Sequence, residues 1–128
     1  MHKIPSPILA DIAARYTTPL WVYDAQVIRA RIASLQAFDV IRYAQKACSN
    51  IHILRLMRAA GVWVDAVSIG EIERALKAGY SVGGQSDELV FTADLFDAAT
   101  LARVVELAIP VNVGSIDMLE QLGQTRAA

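Results

Sequence analysis

The sequence predicts an α/β fold with a parallel sheet. After residue 39, short stretches rich in β-forming residues alternate four times with amphipathic helical stretches. Strands and helices in this order form right-handed βαβ crossovers, which place successive strands parallel to one another. The fold class therefore follows from the repeated order of the elements.

Two parallel architectures fit this order. An open doubly wound sheet suits a chain of 128 residues, whereas a (β/α)8 barrel needs about 250 residues. Against the open sheet, the sequence stops in Gln124-Thr125-Arg126-Ala127-Ala128, where another strand is due. That ending indicates the first half of a barrel, and both architectures stay open at this point.

Each predicted strand is followed by a residue type that caps helices. Strands are predicted at 40–45, 62–67, 89–92 and 110–113, and the helices after them begin at Asn50, Ser68, Asp97 and Ser115. Side-chain oxygens of these residues accept hydrogen bonds from free backbone N–H groups. Ser68 and Glu71 have the spacing of a capping box, and Gly79 is expected at the end of that helix.

Residues 1–24 form a lead-in to this repeat. A strand is predicted at residues 20–23, Leu-Trp-Val-Tyr, because all four are good β-formers. Asp24 is predicted to cap a helix that runs to about Gln36. Residues 25–128 then contain the repeated strands and helices.

The composition indicates a folded protein that binds neither nucleic acid nor a membrane surface. Apolar residues make up 55% of the chain, charged residues 20%, and the net charge is -1. No apolar run approaches the roughly 18 residues that span a bilayer, and the N-terminus lacks a secretory signal. One cysteine, Cys48, fits a reducing compartment, so a cytoplasmic location is predicted.

Lys46 is the first candidate for chemistry. Parallel sheets bind ligands at the carboxyl ends of their strands, and Lys46 follows the strand at 40–45. A lysine amine condenses reversibly with an aldehyde, but a lysine at a strand end can equally be a solvated surface residue. Ala44 lies two residues earlier, on the same strand face, and is small enough to let a planar ring approach.

Asp65 is the second candidate, because it lies within an apolar strand. A carboxylate there is costly unless it has a partner, so we expect it to face Lys46 or Arg42. Cys48 is expected to be a small buried filler, and His52 a residue of a polar helix face. The sequence has no Gly-rich phosphate loop and no cluster of metal-ligating residues.

The segment Tyr43-Ala44-Gln45-Lys46-Ala47-Cys48-Ser49-Asn50 resembles a signature of the fold-type III decarboxylases, which use pyridoxal 5'-phosphate. The segments at 19–24, 64–72 and 109–115 also resemble family motifs, in the same order. Gln45 stands where valine is commoner, and Ile69 where glycine is frequent. The resemblance covers essentially the whole chain.

This resemblance implies a pyridoxal-binding (β/α)8 barrel that belongs to a longer, homodimeric protein with a β-domain. Lys46 would carry the cofactor as a Schiff base, and Ala44 and Asp65 would line its site. The strand at 20–23 would belong to the β-domain. The implied reaction is the decarboxylation of meso-diaminopimelate to L-lysine, a step of lysine biosynthesis. The chain lacks several family parts, so we expect the fragment alone to be inactive.

The sequence leaves three alternative interpretations of the function open. Family members that act on ornithine, arginine or carboxynorspermidine are rivals, because specificity loops would lie beyond residue 128. A non-catalytic partial barrel that pairs with a full-length homologue is a second alternative. A small open-sheet binding domain without a cofactor is a third.

Overall fold

The computed structural model describes residues 4–84, 87–94 and 97–127. These residues form two compact units, which divide between Ala37 and Phe38. Outside the described chain lie residues 1–3, 85–86, 95–96 and 128.

The first unit contains helices α1 (Ser6–Tyr16) and α2 (Ala25–Ala33). The Asp24 carboxylate accepts a hydrogen bond of 2.8 Å from Gln26 N–H, which confirms the predicted cap. Helix α2 ends at Ala33, before the predicted Gln36. The Ser34 hydroxyl donates to the carbonyl of Arg31 at 2.7 Å, and such local bonds compete with continued helix.

The strand predicted at residues 20–23 does not form in the described chain. Trp21 in this segment is 90% exposed. A strand needs a neighbouring strand for its backbone hydrogen bonds, so β-forming residues alone do not create one. Whether the segment belongs to a β-domain, and whether a domain boundary falls at residue 24, stay predictions.

The second unit is built on a parallel sheet, as predicted. Its strands are β1 (Arg42–Ala44), β2 (Trp63–Ala66) and β3 (Leu89–Phe91), in the order β1-β2-β3. Both pairs of neighbouring strands are parallel. Its helices are α3 (Ile51–Ala59), α4 (Ile69–Ala78), α5 (Ala98–Glu106) and α6 (Ile116–Ala127).

One face of this sheet carries the hydrophobic core. Burial alternates along β2 and β3, and the buried strand residues pack with apolar residues of α3, α4 and α5. The main core residues are Leu54, Val64, Ala66, Ile72, Ala75, Leu89, Phe91 and Val104. Full burial of a side chain such as Phe91 stabilises the fold by about 1.5–3 kcal/mol. The opposite face of the sheet carries Arg42, Ala44, Trp63, Asp65 and Val90.

The predicted helix caps are confirmed. The Asn50 side chain accepts from His52 N–H at 2.9 Å, and the Ser115 hydroxyl accepts from Met118 N–H at 3.3 Å. Asp97 accepts from the hydroxyl of Thr100 at 2.6 Å and from its N–H at 2.9 Å. These two bonds, the hydroxyl bond first, lower the pKa of Asp97.

The strand predicted at 110–113 is reduced to a single bridge between Phe91 and Val111. Phe91 N–H donates to the carbonyl of Pro110, and Asn112 N–H donates to the carbonyl of Phe91, each at 2.9 Å. A continuous ladder would need further pairs along both segments. The segment therefore follows β3 in the parallel direction without forming a full strand.

Glu88, directly before β3, is half-buried. Its carboxylate accepts from Ser81 N–H at 2.8 Å, from the Ser81 hydroxyl at 2.9 Å and from Arg58 Nε at 3.0 Å. Burial alone would raise the pKa of Glu88, but the bonds from Ser81 and Arg58 outweigh it, so the pKa is lowered. Glu88 thus ties the start of β3 to α3.

Candidate functional site

Lys46 lies on a short turn at the carboxyl end of β1. The strand stops at Ala44, earlier than predicted, and Gln45–Ala47 form a 3-10 turn. The Tyr43 hydroxyl donates to the carbonyl of Cys48 at 3.1 Å, and the Ser49 hydroxyl donates to the carbonyl of Gln45 at 3.0 Å. These two bonds brace the turn, whose Lys46 side chain is exposed.

Ala44 and Asp65, which the family resemblance implies at the cofactor site, lie side by side on one face of the sheet. They are register partners on β1 and β2, and Asp65 is also the partner of Val90 on β3. Neighbouring strands lie about 4.8 Å apart, so these three residues form one row across the sheet. The 3-10 turn that carries Lys46 contacts β2, the strand of Asp65.

The predicted pairing of Asp65 with Arg42 is wrong. The guanidinium of Arg42 stacks on Trp63, with its central carbon 4.7 Å from the ring centroid. Asp65 Oδ1 is buried and has no hydrogen-bond partner among the described residues. Within that part of the chain, no ion pair joins Asp65 to Lys46 either.

Cys48 is half-buried, where a small buried filler was expected. Its carbonyl oxygen closes the Lys46 turn, so the residue contributes through its backbone. His52 N–H donates to the Asn50 cap, and its side chain is exposed. No group of residues in the described ranges could hold a metal ion.

Two polar residues of this region were not predicted to be buried. Gln45 is completely buried, and neither atom of its amide group has a partner in the described chain. Glu71 is also buried, and its carboxylate accepts from Val67 N–H at 2.8 Å. The signal for Gln45 was present in the sequence, because strand alternation puts residue 45 on the face opposite Ala44.

These residues suit a cofactor that carries an aldehyde. Lys46 supplies an exposed amine, and Asp65 supplies a carboxylate oxygen whose hydrogen-bonding capacity is unused. Ala44, beside Asp65, adds little bulk to the same face of the sheet. The donor set therefore fits pyridoxal 5'-phosphate.

Comparison with known proteins agrees with this chemistry. Residues 24–128 match the family described as pyridoxal-dependent decarboxylase, pyridoxal binding domain. The chain belongs to this family of pyridoxal-dependent decarboxylases.

Among its relatives are diaminopimelate decarboxylases. That of Streptomyces coelicolor is 66% identical over 121 residues, which are 94% of this chain and 28% of the relative. That of Escherichia coli K12 is 66% identical over 116 residues, which are 91% of this chain and 28% of the relative. The chain thus spans little more than a quarter of the length of these relatives.

Solved structures confirm the fold class. A crystal structure of diaminopimelate decarboxylase matches with a TM-score of 0.91 and 63% identity, over 94% of this chain and 29% of that one. The enzyme of Helicobacter pylori, complexed with L-lysine, matches with a TM-score of 0.78 and 32% identity, over 91% and 30%. The matched region is the first part of the fold-type III pyridoxal-binding barrel. In the described residues, no helix is long and apolar enough to cross a membrane.

Proposed function

We propose that this chain is the cofactor-anchoring part of a decarboxylase that converts meso-diaminopimelate to L-lysine. The observation that carries the proposal is the position of Lys46. It lies on a braced turn at the carboxyl end of β1, the strand that pairs with β2, in which Asp65 lies. The identity of 66% to two diaminopimelate decarboxylases supports this substrate over the other diamino acids considered. An ornithine decarboxylase structure is only 17% identical and shares the fold alone.

In this proposal Lys46 holds pyridoxal 5'-phosphate covalently through its amine. The two hydrogen bonds that close its turn fix its backbone, so fewer conformers have to be ordered when the cofactor binds. Ala44 leaves room beside the cofactor ring. Asp65 accepts a hydrogen bond through Oδ1, which restores the partner that a buried carboxylate oxygen requires.

When bound, pyridoxal phosphate acts as an electron sink for the bond that breaks. In the proposal, Lys46 supplies the anchor. Ala44 and Asp65 supply one side of the cofactor site, and Asp65 contributes its carboxylate. The substrate is a small amino acid. The proposal further includes a complete (β/α)8 barrel with a β-domain in the whole protein, a homodimer, and a cytoplasmic location.

Binding of the cofactor tests the anchor. Titration with pyridoxal phosphate is expected to produce a visible absorption band in the parent chain and no such band in Lys46→Ala. Lys77→Ala, which removes an exposed lysine from α4, is the matched control and should keep the band. A band of equal strength in the Lys46→Ala variant would contradict the proposal.

Turnover is a separate question, because the chain carries about 28% of the length of its relatives. It has no Gly-rich phosphate loop. We therefore expect the 128-residue chain alone to release no CO2 from meso-diaminopimelate, although it binds the cofactor. Measurable CO2 release by the purified 128-residue chain would contradict this expectation.

A further inference from the structure

The capping box of α4 is displaced by one residue toward β2. In an ordinary box, the glutamate side chain accepts from the N–H of the capping residue, here Ser68. In this structure Ser68 Oγ accepts from Glu71 N–H at 3.3 Å, but Glu71 Oε2 accepts from Val67 N–H at 2.8 Å. The Glu71 side chain therefore reaches past the cap to the first residue after β2.

This bond is two residues from Asp65 along the chain. Strand β2 ends at Ala66, whose carbonyl accepts from Thr92 N–H at 2.9 Å, so the next strand holds the end of β2 from one side. The Glu71 carboxylate holds the N–H of the next residue, Val67. Asp65 is two residues from Val67, and these two bonds limit how far its backbone can move.

Glu71 is only 8% exposed, although it is a carboxylic acid. Burial of such a group is costly, and a cap could be made by Ser68 alone. Its position in the first turn of α4 offsets part of that cost through the helix dipole. An exposed glutamate at this position would interact with the helix dipole equally well and would avoid the cost of burial. The helix dipole therefore does not explain why Glu71 is buried and bonded to Val67.

We propose that Glu71 is a positioning residue for Asp65. By accepting from Val67 N–H, it fixes the end of β2 and thereby the carboxylate that faces the cofactor. The consequence for the cofactor rests on the proposed function, whereas the effect on Asp65 does not.

The test uses the 128-residue chain and three substitutions of Glu71. Glu71→Gln keeps an acceptor oxygen at the same reach. Glu71→Met removes the acceptor, and Glu71→Asp keeps the charge but is one methylene too short. Two quantities are measured under conditions where each variant is folded: the 13C chemical shift of the Asp65 carboxyl carbon, and the affinity for pyridoxal phosphate.

Glu71→Met and Glu71→Asp are expected to shift the Asp65 signal and to weaken cofactor binding by about tenfold, the equivalent of one hydrogen bond. Glu71→Gln is expected to leave both quantities near the parent values. The control is Glu73→Met, two positions along α4, where an exposed glutamate pairs with Arg103 at 2.8 Å. It should leave the Asp65 signal unchanged.

The inference is overturned if Glu71→Met and Glu71→Asp lower stability but leave the Asp65 signal at its parent position. It is also overturned if Glu71→Gln behaves like Glu71→Met. If the parent chain itself fails to bind pyridoxal phosphate at Lys46, the proposed function fails, and the Asp65 signal alone then decides the role of Glu71.

Discussion

Ala44 and Asp65 are register partners on adjacent parallel strands, on the sheet face opposite the helices. The smallest chiral side chain thus lies next to a carboxylate whose Oδ1 has no partner in the described chain. The small side chain of Ala44 leaves space, and Asp65 offers an acceptor that is not used. Ala44 lies two residues before Lys46, whose amine is exposed. It is the structural basis of the proposed cofactor site.

Replacement of Asp65 by alanine should separate binding from stability. The Asp65→Ala variant is expected to bind pyridoxal phosphate at least about tenfold more weakly, a loss of about 1.4 kcal/mol. Its free energy of unfolding should not fall, because the substitution removes a buried carboxylate oxygen that has no partner. Absorbance titration and urea denaturation measure the two effects.

The control for Asp65 is Asp117→Ala, which removes an exposed carboxylate from the first turn of α6. It should leave cofactor affinity unchanged. If Asp65→Ala binds the cofactor like the parent, Asp65 does not line the site.

Gln45 should be replaceable with a gain in stability. Its amide is fully buried and both polar atoms lack partners in the described chain, and burying such an unpaired polar group costs about 1–3 kcal/mol. Methionine has a similar volume and no amide. The Gln45→Met variant is expected to unfold with a free energy about 1–3 kcal/mol higher than the parent, as measured by urea denaturation.

Gln121→Met, at an exposed position of α6, is the matched control and should change the free energy of unfolding by less than about 0.5 kcal/mol. A lower stability in Gln45→Met would mean that the amide makes interactions that the structure does not account for.

The overall fold was predictable because its signals are local and repeated. Caps such as Asn50 and Asp97 bind the N–H groups that their sequence positions indicate. The parallel order of β1, β2 and β3 follows from the alternation of strands and helices. The segment at 20–23 shows the limit, since β-forming side chains cannot specify a strand without a neighbour.

The site was predictable only in part. The position of Lys46 follows from the end of its strand, whereas the register that pairs Ala44 with Asp65 does not follow from alternation alone. The partner of Arg42 was missed, because its stacking on Trp63 depends on the pairing register of two strands. The reach of Glu71 to Val67 was missed for a similar reason, since a capping motif in sequence does not specify which N–H the side chain selects.

Glu88 should make stability depend on pH in the acidic range. Its folded pKa is lowered from the ordinary 4.5, so its contribution is present above pH 4.5 and is lost as the pH falls through the folded value. Glu88→Gln is therefore expected to be less stable than the parent at pH 7 and to lose less further stability on acidification. Urea denaturation at a series of pH values measures this slope.

The control for Glu88 is Glu106→Gln, which removes an exposed partner of Arg103. Exposed ion pairs contribute about 0–1 kcal/mol, so this variant should stay close to the parent at pH 7. An acid slope in Glu88→Gln equal to that of the parent would contradict the assigned role of the Glu88 carboxylate.

Covalent trapping of the cofactor tests the central claim most directly. The chain is incubated with pyridoxal phosphate, reduced with borohydride and digested, and the modified lysine is identified by mass spectrometry. The chain has three lysines, Lys3, Lys46 and Lys77, so the assignment is unambiguous. We expect the label on Lys46 at cofactor concentrations that leave Lys77 unmodified. Equal labelling of Lys46 and Lys77 would contradict the account.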